Sequence, residues 1–379
     1  MIRRLYVDNY KSLVDFTWEP KRENLVLGVN GSGKTAALDA IDIVRTWCCD
    51  WTKDERWLSR DSLSRFQSKN AAEFQLDVEV DGALYSYEVA FDLNDRQGSS
   101  EVRSETLRKG KATLFRRNFK AVDFRSSTGD VQHFPLPVNL SAVHAILSLD
   151  HSEEVSKFEA ALEAMVIVRP FPNAMSDEAK APERRPSSRF ENFAAWYYLQ
   201  SGSGLFPTAT FELLRQVWED FDHLRLEQLG RAAILSAVFK KDGSASAQVS
   251  LGFNDLSDGE RMLIVLYSLA AYQRTNEPTT LIVDEPDNFL ALAELQPWLL
   301  QILNDRPTAG QIIVVSHNAE IVNTMGEHRV SLFSRQDHVS PTTVSGLKTS
   351  EDGLPLSELL TRGWVVPDDS EAAMQGNRG

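Results

Sequence analysis

The chain has 379 residues and a mass of 42.6 kDa, enough for two or three lobes around a sizeable core. Hydrophobic residues make up 42% and charged residues 25%, which excludes disorder, collagen and coiled coil as descriptions of the whole chain. The 40 Lys and Arg against 54 Asp and Glu leave a net charge of −14, which excludes a uniformly basic coat for nucleic acid but not a local basic patch.

The opening MIRRLYVDNYKSL lacks the apolar run of a signal peptide, and no stretch of about 18 apolar residues follows anywhere in the chain. Residues 2–28 read as strands that end in a Gly-rich turn, with LVDFTWE alternating and Asn24–Leu27 running apolar to Gly28. A helix follows, with Ala36, Leu38, Ile41, Ile43 and Val44 on one face. Cys48 and Cys49, in this helix, are the chain's two cysteines. Neighbours in sequence rarely pair, and two thiols cannot build a zinc site alone, so a reducing, cytoplasmic location is expected.

From 73 to 93, Phe74, Leu76, Val78 and Val80 alternate with polar residues. Asp81-Gly82 then predicts a tight hairpin to Leu84–Val89. Strand-like segments continue to about 125, which predicts an antiparallel sheet with one wet face. Residues 140–224 read as mostly helical, with an exposed Pro/Ser/charge-rich loop, PNAMSDEAKAPERRPSS, between the helices. Strand character returns over 224–253, with a turn at Lys241–Ser244. A helix after Leu256, an apolar strand Leu281–Val283, a helix after 289 and an apolar strand Ile312–Val315 complete a parallel α/β pattern. The organisation expected is residues 1–135 as the N-terminal part of an α/β head with a β-rich lobe, 136–224 as a helical insert, 225–349 as the C-terminal part of that head, and 350–379 as a polar tail.

Four segments carry chemistry. Gly28-Val29-Asn30-Gly31-Ser32-Gly33-Lys34-Thr35 fits the phosphate-loop pattern G-x-x-x-x-G-K-[ST] between an apolar strand and a helix. Glycines let backbone N–H groups turn inward to a triphosphate, and the helix presents its positive end. Lys34 then reaches the β- and γ-phosphates and the Thr35 hydroxyl binds Mg²⁺. Leu281–Pro286 is an apolar strand ending in two carboxylates. Asp284 is suited to hold Mg²⁺ and Glu285 to polarise the attacking water. Leu256-Ser257-Asp258-Gly259-Glu260 opens a helix with the capping-box spacing of Ser257 and Glu260, and its start can also cradle phosphate. Val314–Asn318 ends another apolar strand at His317, placed to touch the γ-phosphate.

In this order the four segments resemble ABC-type ATPase heads, and IRRLYVDNYKSL with the Asn of GVNGSGKT resembles the RecF, SMC and OLD side of that superfamily. The resemblance covers roughly 1–50 and 245–335. It implies a P-loop α/β head with a mixed sheet, an antiparallel β insert and a helical lobe. It also implies ATP and Mg²⁺ clamped between head-to-tail copies of the chain, with Asn30, Gly31, Ser32, Gly33, Lys34 and Thr35 on one side and Ser257 and Gly259 on the other. Asp284 joins Thr35 at the metal, Glu285 and His317 are catalytic, Asp287 and Asn288 face the partner site, and Lys11 lies near the base or α-phosphate. The chain departs from that pattern: a β-rich and a helical insert stand in place of a transporter coupling domain, and the long coiled coil of SMC-like proteins is lacking. About 250 residues separate Lys34 from Asp284. No glutamine loop is evident, Gln75 alternating with strand apolars and Gln67 being a weak candidate. No acidic cluster resembling a Toprim nuclease follows His317.

Residues 101–125 hold Arg103, Arg108, Lys109, Lys111, Arg116, Arg117, Lys120 and Arg125 against three acids, a patch that either binds DNA or RNA or protects a solvated sheet edge. The expected function is an ATP-hydrolysing switch that acts on a partner, such as a separately encoded effector, or on a nucleic-acid complex, in bacterial anti-phage defence or DNA metabolism. The alternatives are a transport ATPase cassette and a low-turnover ATP-binding scaffold for a nuclease or toxin.

Overall fold

The computed structural model describes residues 1–50, 58–94, 99–126, 129–150, 152–241, 244–276, 279–304, 310–318, 320–347 and Glu358. Asp242 and Gly243 of the expected turn, and the polar tail apart from Glu358, lie outside the described residues.

In chain order the elements are β1 (Ile2–Asp8), β2 (Phe16–Trp18), β3 (Glu23–Leu27), α1 (Lys34–Cys49), β4 (Ala71–Val80), β5 (Ala83–Asn94), β6 (Ser99–Lys109), β7 (Ala112–Asn118), β8 (Ala121–Arg125), β9 (Val131–Pro135), α2 (Ala142–Asp150) and α3 (Glu153–Glu163). Then come β10 (Val166–Val168), β11 (Glu178–Ala179), α4 (Phe193–Ser201), α5 (Leu205–Arg215), β12 (Phe221–Leu229), β13 (Ala232–Lys241), β14 (Ser244–Gly252), α6 (Asp258–Thr275) and β15 (Thr280–Asp284). The last are α7 (Leu292–Asn304), β16 (Gln311–Val315), α8 (Ile321–Met325), β17 (Val330–Ser334) and β18 (Thr343–Ser345). The described residues divide into two compact units, one of residues 1–165 and 328–347, the other of residues 166–327 and Glu358.

In the first unit an antiparallel sheet runs in the order β2-β1-β4-β5-β6-β7-β8-β9 among the described residues. Strand β4 shows why. Ala72, Phe74, Leu76 and Val78 are buried and their neighbours are half-buried, so the period-two pattern gives the sheet a dry face. Asp81 and Gly82 both take positive φ, 50° and 75°, and Val80 pairs with Ala83, the two-residue hairpin expected. Helix α1 packs on β4, α2 and α3. It buries Ala36, Leu38, Ile41 and Val44, with Ile43 only half-buried, and Trp47 meets Phe91 edge-on at 5.1 Å. Cys48 and Cys49 are buried free thiols, and burial raises the pKa of Cys48. Strand β3 pairs in parallel with β17, which pairs antiparallel with β18.

In the second unit, β10, β15 and β16 form a parallel ladder in which β15 and β16 are buried along their whole length. Such continuous apolar runs are what a parallel strand covered on both faces requires. Helix α6 is buried continuously from Met262 to Ala271, and the Trp298 indole of α7 donates to Leu266 O at 2.7 Å. A second sheet, β11 and β14 beside β13 with β12 on its far side, stands under α5.

Among the described residues, the stretch read as mostly helical, 140–224, contains four helices but also the strands β10 and β11 and the start of β12. At three residues, β10 is too short for periodicity to separate from a helix. The Pro/Ser-rich segment is stitched down rather than free. Leu235 N–H donates to Asp177 O at 2.8 Å, Ser176 N–H to Glu191 O at 2.9 Å and Glu183 N–H to Ala195 O at 3.1 Å.

Candidate functional site

The phosphate loop joins β3 to α1 in the first unit. A Cβ on Gly28 would collide with Phe333 O and lie 2.5 Å from Ser32 Oγ. Gly33 takes φ 100°, and a Cβ there would lie 2.8 Å from Thr342 Cγ2. The loop therefore closes only with glycine at both places. Lys34 is buried and its ammonium donates to Gly28 O at 2.5 Å and Val29 O at 3.2 Å, along the inside of the loop. Ser32 is buried and its hydroxyl makes no hydrogen bond. Helix α1 begins with no side-chain cap and no acid in its first turn. A helix start of this kind, beside a lysine and an unsatisfied hydroxyl, is chemically suited to phosphate oxygens. Asn30, Gly31 and Thr35 are exposed around it. Lys11 pairs with Asp39 of α1; partial burial alone would lower its pKa, but the bond and charge of Asp39 prevail and raise it.

The carboxylates lie in the second unit. Asp284 is buried at the end of β15, and Glu285 follows with φ 52°. The Glu285 N–H donates to Val315 O on β16 at 2.7 Å, which extends the ladder one step while the positive φ turns the side chain aside. Its Oε2 accepts from the Arg169 guanidinium and from Asn288 Nδ2 at 2.8 Å. His317 Nδ1 is 3.9 Å from Oε1, near but beyond a hydrogen bond. Asp287 accepts from the Ser316 hydroxyl at 2.9 Å, which ties the loop after β15 to the end of β16. Glu285, His317, Asn288 and Asp287 are thus one cluster.

At the start of α6 the capping box forms. Glu260 N–H donates to Ser257 Oγ at 3.3 Å, and Ser257 N–H donates to Glu260 Oε2 at 2.8 Å. Ser257 is exposed and Gly259 half-buried. A Cβ on Gly259 would lie 3.3 Å from Phe289 O, so glycine lets the loop after β15 pass close to this helix start. The segment after β10 links the two features. Arg261 donates to Pro172 O at 2.8 Å, Asn173 donates to Asp258 at 3.0 Å, and Phe171 meets Phe289 edge-on at 5.6 Å.

Arg169 is the residue that sequence reasoning missed. Its signal was the apolar triplet Val166–Val168 just before Arg169-Pro170, a buried strand absorbed into the helical reading. The two glutamines weighed for a glutamine loop have local partners: Gln67 donates to Asp8 at 2.8 Å, and Gln75 accepts from Arg4 at 2.8 Å.

The basic strand pair needs correction. Arg117 is fully buried. Its guanidinium meets Glu105 at 3.3 Å, donates to Pro137 O at 2.7 Å, and also donates to Phe119 O and Leu140 O. It is a core residue, not a nucleic-acid contact. Arg108 pairs with Glu88 at 2.5 Å and Lys109 with Glu154 at 2.6 Å, acids supplied by β5 and α3 that the local count omitted. Lys111, Arg116 and Lys120 are exposed.

Among the described residues no cluster of three or more His, Cys, Asp or Glu is placed to hold a metal by itself. No helix among them is long and apolar enough to cross a membrane.

The family model described as “AAA domain, putative AbiEii toxin, Type IV TA system” matches residues 24–323, and the chain belongs to that family. Among solved structures it is similar to an SMC head bound to the C-terminal winged-helix domain of ScpA, with a TM-score of 0.55 and 15% identity over 91% of this chain and 98% of that one. It also matches the SMC head domain of Thermotoga maritima, with a TM-score of 0.48 and 14% identity over 92% and 99%. The Pyrococcus furiosus SMC head with an extended coiled coil, bound to the C-terminal domain of ScpA, gives a TM-score of 0.48 and 12% identity over 96% and 98%. The fold is that of an ABC-type P-loop ATPase head of the SMC/RecF-like group. No curated protein matches the chain.

Proposed function

We propose that the chain hydrolyses ATP and uses the nucleotide to switch a partner protein. The observation that carries this reading is the phosphate loop, where crowded glycines, an uncapped helix start, an inward lysine and an unsatisfied Ser32 hydroxyl converge. In this reading the loop N–H groups and Lys34 bind the β- and γ-phosphates. Glu285 Oε1 accepts a proton from water as the water oxygen attacks the γ-phosphorus, the bond to the bridging oxygen breaks, and ADP and phosphate leave. His317 stands beside that carboxylate and in this reading donates to a phosphate oxygen. The Thr35 hydroxyl and Asp284 carboxylate are hard oxygen ligands suited to Mg²⁺, which takes one or two protein ligands plus phosphate and water oxygens. Bound there, the ion would neutralise charge on the phosphates.

The reading extends to a head-to-tail dimer in which Ser257 and Gly259 of one copy meet the γ-phosphate held by the other. The exposed Ser257 turn supports it. The effector is expected to be a separate protein, in anti-phage defence or DNA metabolism. The family description names a toxin–antitoxin setting, and a similar SMC head is bound to a ScpA domain. Calorimetric titration of Lys34→Ala with Mg-ATP is the direct test. Binding is expected to fall below detection while the fold persists, and affinity equal to the parent's would remove the loop from its role.

A further inference from the structure

The proposed chemistry names Glu285 as base but leaves open what aims its carboxylate. Glu285 sits on a strained backbone, φ 52°, of a kind that persists only where the surroundings impose it. Its main chain is tied to β16 through Val315 O, and its side chain to the residue that follows β10.

Arg169 is held as firmly. It comes one residue after the Val168–Val283 pair of the parallel ladder, so it emerges at the same sheet edge as Asp284 and Glu285. Its own N–H donates to Ser188 O at 2.7 Å, and Pro170 restricts the next bond. The segment that follows is anchored by Arg261 on Pro172 O and by Phe171 on Phe289. The guanidinium side chain is half exposed, at 50%, whereas the Glu285 side chain is 14% exposed.

An ordinary surface ion pair would leave both carboxylate oxygens loosely solvated and contribute little. Here the two oxygens are treated differently. Oε2 takes both the Arg169 guanidinium and the Asn288 amide, while Oε1 takes neither and faces His317 at 3.9 Å. Two donors on one oxygen fix the rotation of the carboxylate and leave the other oxygen's lone pairs for a third group.

We infer that Arg169 is a positioning residue for hydrolysis: by anchoring Glu285 Oε2 together with Asn288, it presents Oε1 to the attacking water. It does so from the end of the strand beside the carboxylate strand, in a chain where no glutamine loop was evident in the sequence. The inference rests on Glu285 being the base of an ATP hydrolase.

The experiment measures steady-state kcat and KM for Mg-ATP in the full chain and in Arg169→Ala, Arg169→Lys, Glu285→Gln and the Arg169→Ala/Glu285→Gln double variant, with thermal unfolding as the check on folding. Loss of orientation is expected to lower kcat of Arg169→Ala about tenfold with KM within about twofold. Arg169→Lys, which keeps one charged donor, should recover at least a third of the parent rate. In the Glu285→Gln background the Arg169→Ala change should cost nothing further, because the group it aims is gone. Parental kcat in Arg169→Ala, or the same fold-loss with and without Glu285, overturns the inference while the hydrolase reading stands. If Arg169→Ala does not fold, Arg169→Lys at less than a tenth of the parent rate with unchanged unfolding temperature does the same. A parent chain that binds ATP and never turns it over overturns both.

Discussion

Arg117 stands in the sequence among seven other cations, and a charge count treats it like Arg116 beside it. Strand alternation separates them. Phe115 and Arg117 share the dry face of β7, while Arg116 points to water. Burial lowers the guanidinium pKa, and the adjacent Glu105 charge opposes that shift. Glu105 also accepts from the Tyr87 hydroxyl at 2.8 Å, the Ser141 hydroxyl at 3.0 Å and the Ala142 N–H at 3.0 Å, so it ties the sheet to the start of α2. Removing one partner of such a pair strands the other charge in the core. Arg117→Ala is therefore expected to lower unfolding free energy in urea by about 3–5 kcal/mol. Lys111→Ala should change it by less than about 0.5 kcal/mol. A loss below about 1 kcal/mol in Arg117→Ala would show that the pair is not the anchor. The lesson reaches Arg169 too: which of many arginines matters is decided by the carboxylate it meets, and that meeting is not local in sequence.

At the scale of elements, the start of helix α6 was legible almost to the residue, because a capping box is a short-range pattern and the apolar run behind it is long. The same Ser257 hydroxyl serves the cap, where it accepts from Glu260 N–H, and the proposed phosphate contact. Two variants separate these duties. Ser257→Ala should cost about 1 kcal/mol of stability through loss of the cap. Ser257→Asn should keep the cap and the parent's unfolding temperature yet still lose ATP turnover, since its amide does not reproduce the hydroxyl at the helix start. Full turnover in Ser257→Asn would confine Ser257 to capping. Strand β10 is the contrary case. Three residues carry too little periodicity to announce themselves, and their role follows from the ladder to β15.

At the scale of the molecule, the proposed switch makes assembly depend on nucleotide. Glu285→Gln keeps the carboxylate's shape but removes its basicity, so Mg-ATP should accumulate unhydrolysed and hold two copies together. Light scattering of that variant is expected to give about twice the chain mass with Mg-ATP and the single-chain mass without it. One mass in both conditions would remove the dimer from the account. The four motifs were enough to indicate the P-loop class and the residues to test, and the alternation over 73–93 with its Asp81-Gly82 turn the antiparallel β lobe, because turns, caps, strand faces and phosphate loops are built from neighbours. The tertiary structure alone decided that Arg117 meets Glu105, that acids from β5 and α3 answer the basic strands, that β10 lies beside β15, and that Arg169 meets Glu285. These depend on residues 12 to 116 positions apart, and it is their packing, not any local preference, that brings the charges together.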